Sequence, residues 1–280
     1  MTPPDRSLRQ RFAAEVGRSD QDINLALAIL MVAKEEYPQL SEDRYLGQLD
    51  LLAEETRDRL DDETAPLLVL QELLDTLYVR HGFRGNREAY YDPRNSFLND
   101  VLDRRLGIPL TLGVVLLEVA WRLGLPLEGV NFPGHFLVRF KGDAVDLLID
   151  PYDRGAIRFQ DQAQELLDRV YGGMVRVHDS FLKVAGKREM LVRLLMNLKS
   201  LYLKAQDHPR ALSAVERILL IRPITPGEIR DKGVILARMG RTREALEQLQ
   251  AYLSVAPDAA DSHRILGMLE ELKGAGGFQE

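Results

Sequence analysis

Apolar positions recur every three or four residues along the first third of the chain, which is the spacing of an amphipathic helix. The pattern predicts three helices there, from Ile23 to Glu36, from Glu42 to Leu60 with Ser41 as its cap, and from Thr64 to Arg80. Glycine, tyrosine, aspartate and proline are then frequent from His81 to Asn95, which predicts a loop. The chain therefore begins with a helical region.

Two further helices are predicted in the middle of the chain. Ser96 is placed to cap a short helix that ends near Arg105, and a strongly apolar helix follows from Pro109 to Gly124. Most of this second helix is expected to be buried. Its polar residues form a narrow stripe that is either a solvated edge or, since Thr111 lies at the positive end of the helix dipole, the mouth of a site.

The period then changes to the alternation that is typical of β-strands. A hairpin is predicted, with strands from His135 to Lys141 and from Ala144 to Ile149. A two-residue turn at Gly142 and Asp143 would place His135 opposite Asp150. In the same register Arg139 faces Asp146, so Arg139 either binds a carboxylate of a ligand or, as we favour, pairs with that acid.

An imidazole beside a carboxylate is the orienting half of a nucleophilic triad, because the carboxylate fixes the imidazole tautomer and stabilises its protonated form. The usual thiol is missing, since the chain contains no cysteine. The hydroxyl groups of Thr111 and Ser96, or water, are the remaining candidates for the nucleophile. The pair could instead be a structural bridge between two strands.

The last third of the chain repeats at an interval of 34 residues, which separates Ala211 from Ala245, Pro223 from Pro257 and Gly233 from Gly267. This is the period of tetratricopeptide repeats, in which small residues let paired helices approach and a proline follows the second helix. A plain helical bundle with coincidental spacing is the alternative. Three residue types in one register favour the repeat.

The amino-acid composition of the chain narrows the range of possible functions. Lys and Arg number 37 against 43 Asp and Glu, a net charge of −6 that argues against broad binding to nucleic acid. The five histidines show no metal-ligand spacing, so no metal or other cofactor is expected. There is no signal-peptide pattern, and Glu118 and Arg122 interrupt the longest apolar stretch. We therefore expect a cytoplasmic protein without a membrane span.

The loop after the third helix has an alternative interpretation, because it interleaves arginines with aromatic residues. Such a pattern could bind phosphates and stack on bases. The acidic total favours a different role, in which the arginines pair with local acids such as Glu88 and Asp92. The residues concerned are Arg80, Phe83, Arg84, Arg87, Tyr90, Tyr91 and Arg94.

An ordered set of motifs resembles a known bacterial family, the SirB-type transglutaminase-like proteins with a C-terminal tetratricopeptide region. The motifs are Asn95-Ser-Phe-Leu-Asn99, Arg105-Leu-Gly-Ile-Pro109, Arg122-Leu-Gly-Leu-Pro126, Phe132-Pro-Gly-His-Phe136 and Ile149-Asp-Pro151. The resemblance implies an α+β fold with a papain-like core, in which the nucleophilic cysteine begins the central helix. His135 and Asp150 match the family's histidine and aspartate, whereas the cysteine position falls near Pro109 to Thr111.

The resemblance also implies a domain organisation. Residues 1–94 would form a helical region packed on the core, 95–180 the transglutaminase-like core and 187–273 the repeats. Because the thiol is missing, we expect a non-catalytic protein that binds a protein or peptide partner and has a regulatory role, with Asn95, Ser96, Asn99, Gly134 and Arg139 as candidate binding residues. The alternative is a cysteine-independent hydrolase or acyl transferase that uses the His135-Asp150 pair.

Overall fold

A computed structural model describes residues 6–61, 64–142, 145–159 and 162–276 of the chain. The chain forms two compact units, residues 1–194 and 195–280. The first unit combines helices with a small sheet, and the described part of the second is helical. The predicted α+β fold with a helical C-terminal region is confirmed, whereas the division into three domains stays a prediction.

Helices fill the first part of the first unit: α1 (Arg6–Val16), α2 (Leu25–Ala33), α3 (Glu42–Arg57) and α4 (Pro66–Leu74). Ser41 caps α3, because its hydroxyl accepts a hydrogen bond from the backbone nitrogen of Arg44 at 3.4 Å. The last of these helices runs on into a π-helical turn, Asp75–Arg80. Such turns are frequent at functional sites.

The two central helices are α5 (Leu98–Arg104) and α6 (Pro109–Arg122). The prediction that Ser96 caps α5 is wrong: Ser96 ends a 3-10 turn, and Phe97 precedes the helix without a side-chain cap. The prediction that α6 is buried is confirmed. Its polar stripe is not a solvated edge, since Thr111 and Glu118 are buried. Glu118 accepts a hydrogen bond from the first turn of α2, at 2.9 Å from the nitrogen of Ala26.

The sheet of the first unit has four antiparallel strands in chain order, β3 (Leu127–Val130), β4 (Leu137–Lys141), β5 (Asp146–Asp150) and β6 (Ala156–Arg158). A separate parallel pair joins β1 (Arg84–Gly85) to β2 (Leu106–Gly107). After the sheet comes α7 (Ala163–Tyr171), which packs with Val130, Leu137 and Leu148 in one apolar cluster.

The register of the hairpin differs from the predicted one. Lys141 pairs with Asp146 and Val138 with Ile149, so the pairing is shifted by two residues and the predicted opposition of His135 and Asp150 is wrong. Asp143 and Ala144 of the predicted turn lie outside the described residues. A shift of two residues leaves each side chain on its original face of the sheet. The side chains of His135 and Asp150 can therefore still meet, along a diagonal.

Two glycines make room for Phe136 between the sheet and α6. A β-carbon at Gly113 of α6 would lie 2.5 Å from the ring of Phe136, and one at Gly129 of β3 would lie 2.8 Å from it. Real β-carbon contacts are longer than this, so both positions are filled by the aromatic ring. Phe136 itself is fully buried. Its ring holds the segment just before β4 against the central helix.

The second unit consists of paired helices. Helix α8 (Lys187–Lys204) enters it and is followed by α9 (His208–Ile221), α10 (Pro226–Arg238), α11 (Thr242–Val255) and α12 (Ser262–Gly276). Ala211 and Ala245 are fully buried on α9 and α11. Gly233 makes a close approach, because a β-carbon there would lie 2.6 Å from Leu249, whereas Gly267 has open space beside it. The 34-residue repeat therefore corresponds to paired helices, but Gly267 does not make the close contact that Gly233 makes.

Candidate functional site

His135 and Asp150 form a hydrogen-bonded pair at one end of the sheet. The imidazole Nε2 lies 2.8 Å from the Oδ1 of Asp150. Asp150 is the last residue of β5, and His135 lies in a bend two residues before β4, where its backbone nitrogen donates to the carbonyl of Phe132 at 3.0 Å. Both side chains are largely buried. The pair has the geometry in which a carboxylate orients an imidazole.

Asp150 stays ionised although it is buried. Burial acts most strongly and would raise its pKa, but the hydrogen bond and charge of His135 and two backbone donors bring the pKa below its usual value. Those donors are the nitrogens of Tyr152 at 3.0 Å and Asp153 at 3.2 Å, and both reach the same Oδ1. Asp150 is therefore an anion held by three converging donors.

Gly134 precedes the histidine in a backbone conformation that requires glycine. Its φ is +67°, in the left-handed region that side chains disfavour. The geometry of the turn between Phe132 and His135 thus accounts for this glycine. A role in binding a ligand stays a prediction.

Aromatic rings continue from the imidazole toward solvent. Consecutive ring centroids lie 6.0 Å apart from His135 to Tyr152, 6.0 Å from Tyr152 to Tyr90 and 5.3 Å from Tyr90 to Tyr91, each pair edge to face. We call these four residues the aromatic row. Tyr90 and Tyr91 are 40% and 68% exposed. The row is thus a surface that begins at the His135-Asp150 pair and opens to solvent.

Thr111 has a structural contact of its own. Its hydroxyl donates to the carbonyl of Asn95 at 2.7 Å and accepts from the nitrogen of Ile108 at 3.2 Å. The hydroxyl carries one proton, and this proton forms the hydrogen bond to the carbonyl of Asn95. Thr111 therefore closes the first turn of α6. The contacts of its hydroxyl include none to the imidazole of His135.

Asn95 supports the loop that carries the aromatic row. Its amide nitrogen donates to the carbonyls of Ala89 at 2.7 Å and Tyr90 at 3.2 Å, and its oxygen accepts from Asn86 at 3.0 Å. The hydroxyl of Tyr152 donates to the carbonyl of Asn86 at 3.1 Å. Thr111, Asn95 and Asn86 thus form a buried polar chain that leads to Tyr152.

The other candidate binding residues are more separate. Ser96 and Asn99 are buried, and the side-chain oxygen of Asn99 has no hydrogen-bond partner within the described part of the chain. Arg139 donates from Nε to Asp146 at 2.7 Å and also from Nη2. This is the favoured pairing, made along a diagonal because of the shifted register. The charge of Arg139 is therefore balanced inside the sheet.

Two site residues were not foreseen from the sequence. Arg193, on α8, donates from Nη2 to the carbonyl of His135 at 2.6 Å and from Nη1 to that of Phe132 at 3.3 Å. It thus spans the turn that presents the imidazole. Tyr78 of the π-helical turn is buried, and its hydroxyl lacks a partner among the described residues. Burial, then the charge of Asp150, raise its pKa.

Most of the loop arginines pair with acids, whereas Arg84 donates to the carbonyl of Gly82 at 3.4 Å. Arg94 contacts Asp92 at 2.7 Å and Arg87 contacts Asp153 at 2.8 Å. Of the two acids predicted to pair with these arginines, Asp92 does so, with Arg94. Glu88 does not pair with Arg87, which contacts Asp153 instead.

Among the described residues, no group of three or more acids and histidines could hold a metal ion. None of the described helices has the length and apolar character needed to cross a bilayer.

Comparison with known proteins agrees with this architecture. Residues 43–196 match the model of the transglutaminase-like superfamily, and residues 198–270 match a tetratricopeptide repeat model. The chain belongs to the transglutaminase-like superfamily and, within it, to the SirB-type family with C-terminal tetratricopeptide repeats. The resemblance seen in the sequence motifs is confirmed.

Two relatives illustrate the family. A "UPF0162 protein" of Xylella fastidiosa strain Temecula1 is 36% identical over 256 residues, which is 90% of this chain and 91% of that protein. "Protein SirB1" of Salmonella typhimurium is 29% identical over 204 residues, 72% of this chain and 76% of that protein. A solved structure of menin covers 90% of this chain and 70% of that one, with a TM-score of 0.43 and 12% identity, a likeness too weak to support any conclusion.

Proposed function

We propose that this is a non-catalytic, regulatory transglutaminase-like protein of the cytoplasm, which binds a protein or peptide partner on the aromatic row. The observation that carries this proposal is an ordered His135-Asp150 pair in a chain without cysteine. Tetratricopeptide repeats are a type of region that binds proteins, which also supports a partner of this class.

The chemistry of the first turn of α6 supports a non-catalytic role. A secondary alcohol is a weak nucleophile unless a base removes its proton. The proton of Thr111 is directed to the carbonyl of Asn95, and a carbonyl oxygen is not a base that could take it. Ser96 is buried beside the same turn. Neither hydroxyl is paired with His135 in the way that acyl transfer requires.

The exposed rings support binding. Tyrosine offers a large rigid surface with a polar end, and it is enriched where proteins contact partners. Tyr91 and Tyr90 present such a surface beside the ordered imidazole. An extended peptide would lie along the row and reach His135 at its inner end.

Capture of a partner tests this proposal. The full chain is immobilised and exposed to a lysate of cells that carry its gene, with crosslinking under mild conditions. We expect a defined partner that Tyr91→Ala weakens at least about tenfold, the effect of losing about 1.4 kcal/mol. The control is Leu51→Ala, at an exposed apolar residue of α3. Equal capture by both variants, or no partner at all, would contradict the proposal.

A hydrolase or acyl transferase remains as the second candidate, favoured by the orientation of the imidazole. A water molecule activated by His135 would serve as its nucleophile. Ester and amide probes test this candidate. Turnover that is lost in His135→Ala and kept in Leu51→Ala would establish catalysis, whereas we expect no turnover by any of the three proteins.

A further inference from the structure

Arg193 is a cation in a largely enclosed position whose hydrogen-bond acceptors are all neutral. Its guanidinium donates to the carbonyls of His135 and Phe132 and to the side-chain oxygen of Asn131, the last at 3.2 Å. No described aspartate or glutamate forms an ion pair with it. Removing a cation from water is costly unless a negative charge is placed beside it. The missing counter-charge is therefore the feature to explain.

Three acids of the candidate site, Asp150, Asp153 and Asp92, already hold other donors. Asp150 holds His135 and two backbone donors. Asp153 pairs with Arg87 and Arg158, and Asp92 with Arg94. These carboxylates therefore cannot turn toward Arg193 without leaving another donor unpaired. A carboxylate of a bound molecule would supply the negative charge that Arg193 lacks.

The surroundings of Arg193 indicate the chemical class of such a molecule. Its guanidinium contacts the residue that begins the aromatic row, and Tyr90 of the row is close enough to affect it electrostatically. Arg87 and Arg94 of the loop are each paired with an acid, whereas Arg193 contributes one positive charge without an acidic partner among the described residues. One charge matches a carboxylate, whereas a phosphate dianion needs several cations.

We propose that Arg193 and the aromatic row form a binding site for a peptide carboxylate, with an apolar or aromatic side chain of the same peptide on Tyr90 and Tyr91. This rests on the proposed function and specifies the chemistry of its partner. The carboxylate is either the free end of the peptide or the side chain of an acidic residue. The guanidinium is the group that would distinguish it from an amide of the same shape.

Matched peptides test the site in the full-length protein. The first pair is N-acetyl-alanyl-phenylalanyl-alanine with a free carboxylate and the same peptide with a carboxamide end. The second pair has an amidated end and carries glutamate or glutamine after the phenylalanine. Binding is followed by shifts of backbone amide resonances in the isotope-labelled chain. We expect at least about tenfold tighter binding of one acid than of its amide.

Variants assign the effect to Arg193. Arg193→Met should abolish the preference for the acid, and Arg193→Lys should keep a smaller preference because it retains the charge without the planar fork. The control is Arg188→Met, an arginine of the same helix that also donates to carbonyls, those of Val16 and Arg18. Should Arg193→Met fail to fold, the peptide pairs on the unaltered protein still decide.

The outcomes separate this inference from the proposed function. Equal binding of acid and amide in both pairs would overturn the carboxylate site and leave peptide binding in place. No shift with any of the four peptides would overturn both for peptides of this kind. Tighter binding of the acids that persists unchanged in Arg193→Met would also overturn the assignment to Arg193.

Discussion

Asp150 shows how a single buried residue fixes the geometry of the candidate site. Its Oδ1 accepts from His135, Tyr152 and Asp153, so one oxygen orders the imidazole and the turn after β5 together. A hydrogen bond to a charged group contributes more than one between neutral groups. The pair is thus a structural tie that also has the geometry in which a carboxylate orients an imidazole.

Replacing the carboxylate by an amide should weaken this tie. We expect Asp150→Asn to lower the free energy of unfolding by about 1–3 kcal/mol, because three donors then face a neutral acceptor. Urea unfolding followed by the fluorescence of Trp121 measures it, since the single tryptophan lies at the end of α6. The control Asp146→Asn, at a more exposed ion pair, should cost less than about 1 kcal/mol. Equal losses would contradict the prediction.

Asp150 should also make the stability of the folded protein depend on pH. The pKa of Asp150 is lower in the folded protein than in an unfolded chain, where it is about 3.9. Its contribution is therefore fully present above pH of about 4 and is lost as the pH falls through the folded pKa. The stability difference between the unaltered protein and Asp150→Asn should shrink as the pH is lowered below about 4. A difference that grows on acidification would have the wrong sign.

At the scale of elements, α6 and the strands leave a space that is shaped for one ring. Gly113 and Gly129 both lie where a β-carbon would overlap Phe136. The sequence indicated a buried helix and a strand here, but not this contact. Packing of one side chain against two glycines on different elements has no periodic signal, so it could be seen only in the folded protein.

A methyl group added at Gly113 should therefore disturb the packing. We expect Gly113→Ala to destabilise the first unit by about 1–3 kcal/mol, because the ring of Phe136 must move. Gly47→Ala is the matched control, since Gly47 lies within α3 with nothing within 4 Å of the added carbon. It should stabilise by about 0.5–1 kcal/mol through helix propensity. The two variants should shift the Trp121 unfolding transition in opposite directions.

In the second unit, ion pairs join two of the helices. Lys199 of α8 lies 2.6 Å from the carboxylate of Glu228 and 3.0 Å from that of Asp231, both on α10. Lys199 and Glu228 are buried. A buried ion pair is most sensitive to the loss of one partner, because the other charge is left without compensation.

We expect Lys199→Met to destabilise the second unit by about 3–5 kcal/mol. Hydrogen exchange of the backbone amides of α9 and α10 measures the change. Arg243→Met removes an arginine from an exposed pair with Glu247 and should change exchange by less than about 0.5 kcal/mol. Protection of α10 that is the same in both variants would show that these ion pairs have little energetic effect.

At the scale of the whole molecule, the sequence predicted classes of structure better than contacts. The helical period, the change to alternation and the 34-residue repeat all correspond to elements of the structure. The hairpin register was wrong by two residues, because it depended on an assumed turn. The face of each strand was still correct, since alternation has a period of two.

The candidate site was predictable only in part for a similar reason. The contact of His135 with Asp150 follows from strand alternation together with motif resemblance. Arg193 and Tyr78 come from distant parts of the chain and carry no local signal. Ser96 was misplaced as a cap because its residue type suits a helix start, whereas the preceding 3-10 turn takes it into the interior.

The burial of α6 from Pro109 to Ala120 has a consequence for the dynamics of the first unit. Every residue from Pro109 to Ala120 is buried. Their amides should exchange only through global opening, and so should be among the slowest in this unit. Amides of α1, which has a more exposed surface, serve as the internal comparison. Rapid exchange within α6 would show that the central helix opens by itself.

The hydroxyl of Thr111 limits what a thiol at this position could achieve by a single change. A thiol at position 111 is a weaker hydrogen-bond donor and acceptor, so Thr111→Cys would loosen the link to Asn95 and the support of the loop below Tyr90. A nucleophile at position 111 and the support of this loop are therefore competing demands on one residue. Acyl-transfer chemistry with a thiol here would require a second substitution that replaces the lost support.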